Sequence, residues 1–365
     1  MAGVYISYPF CGQKCTYCNF ASGVFEQTLV DKYLAALLTE IERHEWTWRP
    51  ETLYLGGGTP GNLETGGLRG ILSAVPGAPW TEATIEAAPG SITAPKALAW
   101  KALGINRVSL GVQSFVTREL ARTGRRHDAE TVAREVAILR AAGIGNFNID
   151  LIAGLPGQTR EGWLESLEWI ARLEAPHVSV YMLEIDEDSR LGKEILHGGA
   201  RYGAADVPSE DAIVDFYESA VERLGRLGLR RYEISNFARL GLESRHNLKY
   251  WRLEPYAGFG SDAHSFDGAI RSQNVETPAE YVARMERGES PRAEARAADI
   301  GEEKFFVGLR LSEGVRMLPQ ERSRFEAPIR RFCEAGLLEL ENDNLRLTAK
   351  GILLSNEVFQ EFITI

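Results

Sequence analysis

Six short β-rich runs alternate with amphipathic helical stretches through the first half of the chain, and this alternation limits the possible folds most. The runs cover residues 4–8, 52–55, 83–86, 107–112, 147–151 and 177–182. Helix-like apolar spacing covers residues 26–46, 65–75, 95–103, 129–142 and 159–173. Strands that alternate with helices pair in parallel, because each helix carries the chain back to the same end of the sheet. The pattern predicts an α/β fold with a parallel sheet, either open or curled into a partial barrel.

The pattern changes after Met182, where the regular alternation ends. Residues 187–208 are rich in glycine and charge, and we predict a loop there. A helix is predicted over 209–227, with Ser209 as its N-cap, because a hydroxyl at that position can accept a free backbone N–H. A seventh β-rich run covers residues 231–237.

The end of the chain has the pattern of a small module, residues 300–365. It follows residues 291–299, which are rich in alanine and charge and are predicted to be a linker. The predicted elements are helices near 302–311 and 327–335, a hairpin over 338–347 that turns at Asn342 and Asp343, and a last helix from Thr348. This order is typical of a winged-helix-like module. Its acidic residues slightly outnumber its basic ones, so we predict a packing or partner module and not a DNA reader.

The charge balance and the absence of long apolar runs exclude several classes of protein. Lys and Arg number 41 and Asp and Glu 51, for a formal net charge of −10, which argues against a nucleic-acid partner. No run reaches about 18 apolar residues, so no transmembrane segment is predicted. The first residues lack the basic end and apolar core of a signal peptide. We therefore expect a cytoplasmic protein.

Three of the four cysteines lie in one short loop directly after the first β-rich run. Cys11, Cys15 and Cys18 have the spacing C-x3-C-x2-C, and such clustering suits a metal site in a reducing compartment. A [4Fe–4S] cluster takes one thiolate per iron, so this loop would leave the fourth iron open for another ligand. The alternatives are a structural zinc site or plain packing, but zinc usually needs four protein ligands and no second C-x2-C pair exists. Cys333 is predicted to pack on an apolar helix face.

Polar residues also close several of the predicted strands. Residues 56–60, Gly-Gly-Gly-Thr-Pro, follow the second run, and Glu86, Gln113 and Asp150 end or follow the next three. One polar residue at a strand end is usually only solvated. Four successive strands that end this way beside a cysteine loop predict a ligand site, because parallel β/α sheets place their chemistry at the C-terminal strand ends. The glycines would let a charged ligand approach the backbone closely.

The cysteine spacing, with Tyr17 before the last cysteine, resembles the signature of the radical S-adenosylmethionine superfamily. Further strings resemble its oxygen-independent coproporphyrinogen oxidase-like branch and span nearly the whole chain. They are Tyr-Ile-x-x-Pro-Phe-Cys (5–11), Gly-Gly-Gly-Thr-Pro (56–60), Gly-Val-Gln-Ser-Phe (111–115), Asp-Leu-Ile-x-Gly-Leu-Pro-Gly-Gln (150–158) and Tyr-Glu-Ile-Ser-Asn-Phe-Ala (232–238). The resemblance implies a partial (β/α)6 barrel, and a cluster whose open iron binds the methionine moiety of S-adenosylmethionine. One electron from such a cluster breaks the sulfonium C–S bond and releases a 5′-deoxyadenosyl radical.

The resemblance also implies which residues bind S-adenosylmethionine. They are Tyr5, Gly57, Gly58, Thr59, Glu86, Gln113, Arg125 and Asp150. The chemistry suits this role, because the carboxylates of Glu86 and Asp150 can accept hydrogen bonds from ribose hydroxyls or the amino group. Arg125 can pair with the carboxylate, although a surface charge beside Arg126 is the alternative reading for it.

Two functions of different classes occur within this branch. One is coproporphyrinogen III dehydrogenase, an enzyme of porphyrin biosynthesis that decarboxylates propionates by radical hydrogen abstraction. The other is the HemW-type haem chaperone, which binds haem and transfers it. The enzymes carry a further cysteine two residues after the third, where this chain has Phe20, and a long arm before the cluster, where this sequence has ten residues. The resemblance therefore favours a chaperone, and whether the chain is also an enzyme stays open.

A second string points to haem. His-Asn-Leu-Lys-Tyr-Trp from His246 matches the H-N-x-x-Y-W string of HemW-type proteins. His246 offers an imidazole for the haem iron beside Asn247, and Tyr250 and Trp251 offer flat apolar faces for the porphyrin. The alternative is structural, with a buried histidine and two aromatic rings packed at the open edge of the sheet. His264 is a second possible ligand, although a hydrogen-bonded core role is the expectation for it.

These observations predict a haem chaperone that carries a [4Fe–4S] cluster and S-adenosylmethionine. Its partners would be haem or another tetrapyrrole, an acceptor protein for haem, and an electron donor if radical chemistry is used. The predicted domains are a barrel over 1–185, an extension with the tetrapyrrole-binding surface over 186–290, and the module over 300–365. We expect the cluster and cofactor at the C-terminal mouth of the barrel, and the second half of the chain over that mouth.

Overall fold

The first six strands lie side by side in chain order and every neighbouring pair is parallel. The structure is a computed structural model that describes residues 2–363. The strands are β1 (Ala2–Tyr8), β2 (Pro50–Gly57), β3 (Glu82–Ala87), β4 (Arg107–Gln113), β5 (Asn146–Ala153) and β6 (His177–Met182). The predicted β/α fold is confirmed, since each predicted run lies inside an observed strand.

Helices connect these strands. They are α1 (Gln27–Arg43), α2 (Thr65–Ala74), α3 (Ala94–Ala102), α4 (Thr117–Arg122), α5 (Ala129–Ala141) and α6 (Arg160–Arg172). Side-chain N-caps fix the starts of three of them, because Thr93, Asp128 and Thr159 each accept a backbone N–H from three residues on. The left-handed Gly143 (φ 80°) ends α5 as predicted.

Side chains alternate strictly between two environments along these strands. In β5, Phe147, Ile149 and Leu151 are fully buried and belong to the apolar core. Asn148 and Asp150 point the other way, because successive residues of a strand face opposite sides of the sheet. Polar side chains at the equivalent positions of neighbouring strands therefore share the concave inner face.

The second part of the chain adds strands to both margins, so the large sheet has twelve strands among the described residues. Beside β6 lie β7 (Arg230–Arg231) and β8 (Asn236–Ala238), and beside β1 lie β9 (Tyr256–Phe259), β10 (His264–Phe266), β11 (Ile270–Asn274) and β12 (Arg292–Ala297). The run predicted over 231–237 is thus not one strand but a tight hairpin, since the Tyr232 N–H donates to the Asn236 carbonyl. The predicted linker over 291–299 is wrong as well, because it contains β12, an exposed edge strand.

Four further helices lie in this part of the chain. They are α7 (Arg190–His197), α8 (Glu210–Arg226), α9 (Arg245–Trp251) and α10 (Pro278–Glu286). The loop predicted over 187–208 is wrong at α7. Leu191 on one side of that helix is buried. The carboxylate of Glu194 accepts backbone N–H groups of the turn that follows the helix, including that of Tyr202. The predicted start of α8 is confirmed, since Ser209 accepts from the Ala212 N–H.

The C-terminal module has its own small antiparallel sheet and aromatic core. Its elements are α11 (Ile300–Gly308), β13 (Val315–Arg316), α12 (Pro319–Arg324), α13 (Glu326–Glu334), β14 (Leu338–Glu341), β15 (Asn344–Leu347), α14 (Ala349–Leu353) and α15 (Ser355–Gln360). The predicted hairpin turn is confirmed, with Asn342 and Asp343 both at positive φ. Phe305, Phe325 and Phe362 pack against one another with ring centroids 4.9–5.2 Å apart.

Helix α9 lies at the N-terminal ends of the strands, which is the base of the barrel. The Glu82 carboxylate, at the start of β3, accepts the backbone N–H groups of Arg245 and His246 at 3.0 and 2.9 Å and the Ser244 hydroxyl at 3.3 Å. The expectation that the second half covers the C-terminal mouth is therefore wrong for this helix. Because its free N–H groups bind a carboxylate of β3, α9 closes the opposite end.

Candidate functional site

A cavity of about 890 Å³ runs through the barrel. At one end its wall is the cysteine loop, which follows the C-terminal end of β1. At the other end the wall includes Asn247 of α9, Arg310 and residues 353–357 of the C-terminal module. Ligand pockets for small molecules span roughly 300–1,000 Å³, so this volume lies at the upper end of that range.

The three cysteines of the loop all line this cavity and are partly buried. The loop returns to its start, because the Cys11 N–H donates to the Gly23 carbonyl at 2.8 Å and the Gly23 N–H donates to the Pro9 carbonyl at 2.9 Å. Burial raises the pKa of the Cys11 thiol. Among residues 2–363 no three His, Cys, Asp or Glu side chains converge on a single ion. A four-iron cluster does not need such convergence, since each thiolate takes a different iron.

The glycine string after β2 is joined to the start of the cysteine loop by backbone hydrogen bonds. The Gly58 N–H donates to the Tyr8 carbonyl at 2.8 Å, and the Thr59 N–H donates to the Phe10 carbonyl at 2.9 Å. A side chain at position 58 would meet the Phe10 backbone at 2.7–2.8 Å, so only glycine permits this approach. Gly57 has φ 105°, which also favours glycine. The string thus fixes the loop against β2 and presents its own backbone to the cavity.

Glu86 and Tyr54 form a hydrogen-bonded pair in the cavity wall. The Tyr54 hydroxyl donates to Oε1 of Glu86 at 2.8 Å, and the Gly57 N–H donates to Oε2 at 3.2 Å. Burial, with a smaller contribution from the nearby Asp150, raises the pKa of Glu86 to about 7, while these hydrogen bonds oppose the shift. Sequence reasoning missed Tyr54, although its alternation with buried Leu53 and Leu55 placed it on the inner face.

The raised pKa of Glu86 predicts a pH-dependent stability. The folded state holds this proton more tightly than the unfolded chain, so stability is greatest below about pH 4.5 and falls as the pH rises to about 7. Replacing Glu86 with Gln keeps an acceptor for Tyr54 and removes the titration. We expect this variant to gain about 3 kcal/mol over the wild type at pH 8 and nothing at pH 4.5. Urea unfolding of the apoprotein across this range measures it, and a pH-independent difference would contradict it.

Three further residues predicted for this site also line the cavity. Asp150 accepts from Asn148 at 2.7 Å, and burial raises the pKa of the Asp150 carboxyl. Gln113 has φ 71°, and in the described part of the chain its buried Oε1 has no hydrogen-bond partner. Arg125 donates to the Gly111 carbonyl and to the Tyr17 hydroxyl, so it belongs to the cavity wall and not to the surface.

Tyr5 is placed differently from the other predicted residues. It stands behind Tyr54, with the two rings stacked at 6.2 Å, and it is not among the residues that line the cavity. Burial raises the pKa of its hydroxyl, with Glu86 as the next largest cause. The structure therefore places the other residues predicted to bind S-adenosylmethionine in the cavity wall, whereas Tyr5 lies behind that wall.

A chain of hydrogen bonds crosses the barrel interior from this group to the base. The Asn148 side-chain nitrogen donates to Asp150, and the Asn148 side-chain oxygen accepts from His177 Nδ1 at 2.7 Å. The Tyr232 hydroxyl lies 2.8 Å from His177 Nε2 and accepts the Ser244 N–H at 3.2 Å. Burial holds the pKa of His177 well below its usual value, so the ring is neutral and can accept at Nε2. Sequence reasoning missed this chain because its members lie far apart in sequence.

His246 is buried at the base, with both ring nitrogens hydrogen-bonded. Nδ1 lies 2.9 Å from the Thr52 hydroxyl and Nε2 lies 2.7 Å from the Tyr250 hydroxyl. Its ring stacks on Tyr54 at 5.3 Å. Burial lowers the pKa of His246 to about 3, so it is neutral. Tyr250 and Trp251 are half-buried, and Asn247 reaches the cavity. The predicted residues of α9 thus lie together, on the far side of the barrel from the cysteines.

His264 departs from its expected place. It belongs to β10 and is exposed, so it is not a core residue. No helix among residues 2–363 is long and apolar enough to cross a bilayer.

Comparisons with known proteins agree with this architecture. Residues 5–170 match the radical SAM superfamily and residues 296–354 match the HemN C-terminal domain. The heme chaperone HemW of Bacillus subtilis is 34% identical over all of this chain and 99% of its own length. HemW of Lactococcus lactis is 33% identical over 98% of this chain and 96% of its own.

One solved structure shares the whole fold. The radical SAM enzyme coproporphyrinogen III oxidase (HemN) of Escherichia coli superimposes with a TM-score of 0.86 over all of this chain and 90% of its own, at 23% identity. At that identity the likeness shows the fold alone, whereas the relatives above match at higher identity along nearly their full length. The chain therefore belongs to the HemW family of heme chaperones within the radical SAM superfamily.

Proposed function

We propose that this chain binds haem at α9 and passes it to an acceptor protein, while its barrel holds a [4Fe–4S] cluster and S-adenosylmethionine. The observation that carries the proposal is the full-length similarity to the HemW relatives, whose names describe heme chaperones. The cluster of Cys11, Cys15 and Cys18 suits a reducing compartment, so we propose a cytoplasmic location. An electron donor would be needed only if the cluster is used for radical chemistry.

The cysteine end of the cavity suits the cluster and its cofactor. The cluster would be held by the three thiolates, and when bound it supplies one electron to a sulfonium at its open iron. Around it, the carboxylates of Glu86 and Asp150 can accept from the ribose or amino group. Arg125 can pair with the carboxylate.

Backbone and amide groups complete the cofactor end. Gly57, Gly58 and Thr59 line this end of the cavity and would contact the cofactor there. The unpartnered Oε1 of Gln113 is a buried acceptor that a ligand donor would satisfy. Tyr5 would act indirectly, because its ring stacks on Tyr54, whose hydroxyl donates to Glu86.

Helix α9 offers both an iron ligand and aromatic surface. Iron ligation by His246 would use Nε2, so it would replace the hydrogen bond from the Tyr250 hydroxyl. The neutral imidazole is the form that binds iron. Burial lowers the pKa of His246 to about 3, so His246 is already in that form. Tyr250 and Trp251 would pack on the porphyrin, and Asn247 would face the cavity beside it.

Two substitutions in α9 test the proposal. His246→Ala should lower haem affinity at least tenfold and leave the iron and sulfide content of the cluster unchanged. Tyr250→Phe keeps the ring and frees Nε2, so it should bind haem at least as tightly as the wild type. Titration with haem, followed by absorbance under anaerobic conditions, measures both.

Two results would speak against the proposal. Unchanged haem spectra in the His246→Ala variant would remove His246 as the ligand. Turnover of coproporphyrinogen III without stoichiometric haem uptake would favour the alternative, an oxygen-independent coproporphyrinogen III dehydrogenase.

A further inference from the structure

We propose that the base of the barrel contains a carboxylate subsite formed by Arg107 and Arg310, which takes a propionate of the bound tetrapyrrole. The subsite rests on the proposed function, because the tetrapyrrole at α9 is what would bring the propionate there. Arg107 begins β4, and Arg310 follows α11 in the C-terminal module. Both side chains line the large cavity at the end opposite the cysteines.

Arg107 is a buried cation that forms no ion pair within the described part of the chain, although the charge of Asp150 on the same inner face acts on it. Its side chain lines the cavity although the residue is only 2% exposed. One guanidinium nitrogen donates to the Asn146 side-chain oxygen at 2.8 Å, and no carboxylate of residues 2–363 forms an ion pair with it. A buried charge without a counter-ion is costly, and the remaining N–H groups can only donate. The position therefore favours an anion in the cavity.

Arg310 adds a second cation at the same end. Its guanidinium lies 4.5 Å above the Trp251 ring of α9. The nearest carboxylate, Glu233, is 3.8 Å away, which is too long for a hydrogen bond. Its buried Nε has no acceptor among residues 2–363, and neither does the buried indole N–H of Trp251. These donors are satisfied if an acceptor group enters from the cavity.

The surroundings favour a carboxylate as that group. His177 is neutral and Asn247 is an amide, so neither adds a charge to the space that Arg107 and Arg310 line. Of the carboxylates nearby, Glu82 binds the start of α9 and Oε1 of Glu233 accepts from Asn236. Oε2 of Glu233 faces Arg310 at 3.8 Å and has no hydrogen-bond partner among residues 2–363, so this long ion pair leaves the Arg310 donors unsatisfied. Haem carries its ionised groups as two propionates at one edge. Planar guanidinium groups bind carboxylates with two parallel hydrogen bonds.

Haem and its dimethyl ester, which lacks only the propionate charges, provide the test. The wild type should bind haem at least tenfold more tightly than the ester. Arg107→Gln and Arg310→Gln should each reduce this preference to threefold or less and leave ester affinity unchanged. Arg239→Gln, an exposed arginine next to β8, is the matched control and should keep the full preference. Arg310 is half-exposed, so its variant serves if Arg107→Gln does not fold. Equal binding of haem and ester by the wild type overturns the subsite and leaves the haem function standing.

A second probe separates failure of the subsite from failure of the proposed function. If the wild type binds neither haem nor the ester, crystals of the apoprotein soaked in 4-bromobenzoate, an aryl bromide that does not alkylate the free cysteines, decide the question. Bromine density next to Arg107 and Arg310 in the anomalous map supports the subsite and shows that the haem proposal alone has failed. No bromine density there overturns the subsite as well.

Discussion

Replacement of Cys11, Cys15 and Cys18 with serine should remove all bound iron and labile sulfide from anaerobically reconstituted protein. The wild type should hold about four of each per chain. The loss is complete because a serine hydroxyl does not provide the thiolate that the irons need. The three thiols line one cavity, and no three His, Cys, Asp or Glu side chains among residues 2–363 converge to hold a metal ion in their place. Colorimetric iron and sulfide assays together with the charge-transfer absorbance of the cluster measure the result.

Cys333→Ser is the matched control for this experiment. Cys333 packs against the core of the C-terminal module, far in sequence from the loop, and burial raises the pKa of its thiol. The variant should keep the full iron and sulfide content. Undiminished sulfide in the triple variant would end the case for a cluster on this loop.

Glu82→Ala should lower the free energy of unfolding by about 3 kcal/mol, the largest change we expect from one side chain of the barrel base. The residue is 3% exposed, and its carboxylate accepts three hydrogen bonds from residues 244–246 at the start of α9. Alanine leaves two backbone N–H groups and a hydroxyl without an acceptor, and it removes a negative charge from a helix N-terminus. Guanidinium unfolding followed by far-UV circular dichroism measures the change.

Two further variants make this result specific. Glu82→Gln keeps one acceptor oxygen and should cost about 1 kcal/mol. Glu42→Ala, which removes an exposed carboxylate of α1, should change stability by less than about 0.5 kcal/mol. A Glu82→Ala variant as stable as Glu42→Ala would mean that the carboxylate does not hold α9 to the barrel.

The first half of the fold was predictable because its signals are local. Apolar residues that recur every two or every 3.6 positions predicted the six parallel strands and most of the helices between them. The helix ends predicted at Ser209 and Gly143 were correct to the residue. Strand β12 was missed because its alternating Arg, Ala and Glu residues are poor strand formers, and pairing with β11 alone makes it a strand. The helix α7 was missed because buried contacts of Leu191 and Glu194 outweigh the glycine-rich sequence around it.

Residues of the site could be predicted from the sequence only where they lie at the C-terminal ends of strands. Glu86, Gln113 and Asp150 follow from the rule that parallel strands present residues at their C-terminal ends. Arg107 and His177 could not be recognised, because each is an isolated polar residue until β4 and β6 curve around one interior. The position of α9 at the base depends on contacts with β3 over more than 160 residues of sequence, which no local pattern contains.

The hydrogen-bonded interior of the barrel has a mechanical consequence. Between Asp150 and Ser244, each of the side chains Asn148, His177 and Tyr232 has its donors and acceptors engaged by its neighbours. Rotation of any one of them would leave buried partners unsatisfied at a cost of about 1–3 kcal/mol each. The interior therefore resists rearrangement, and we expect a ligand that binds at one end of the barrel to leave the side chains at the other end in place.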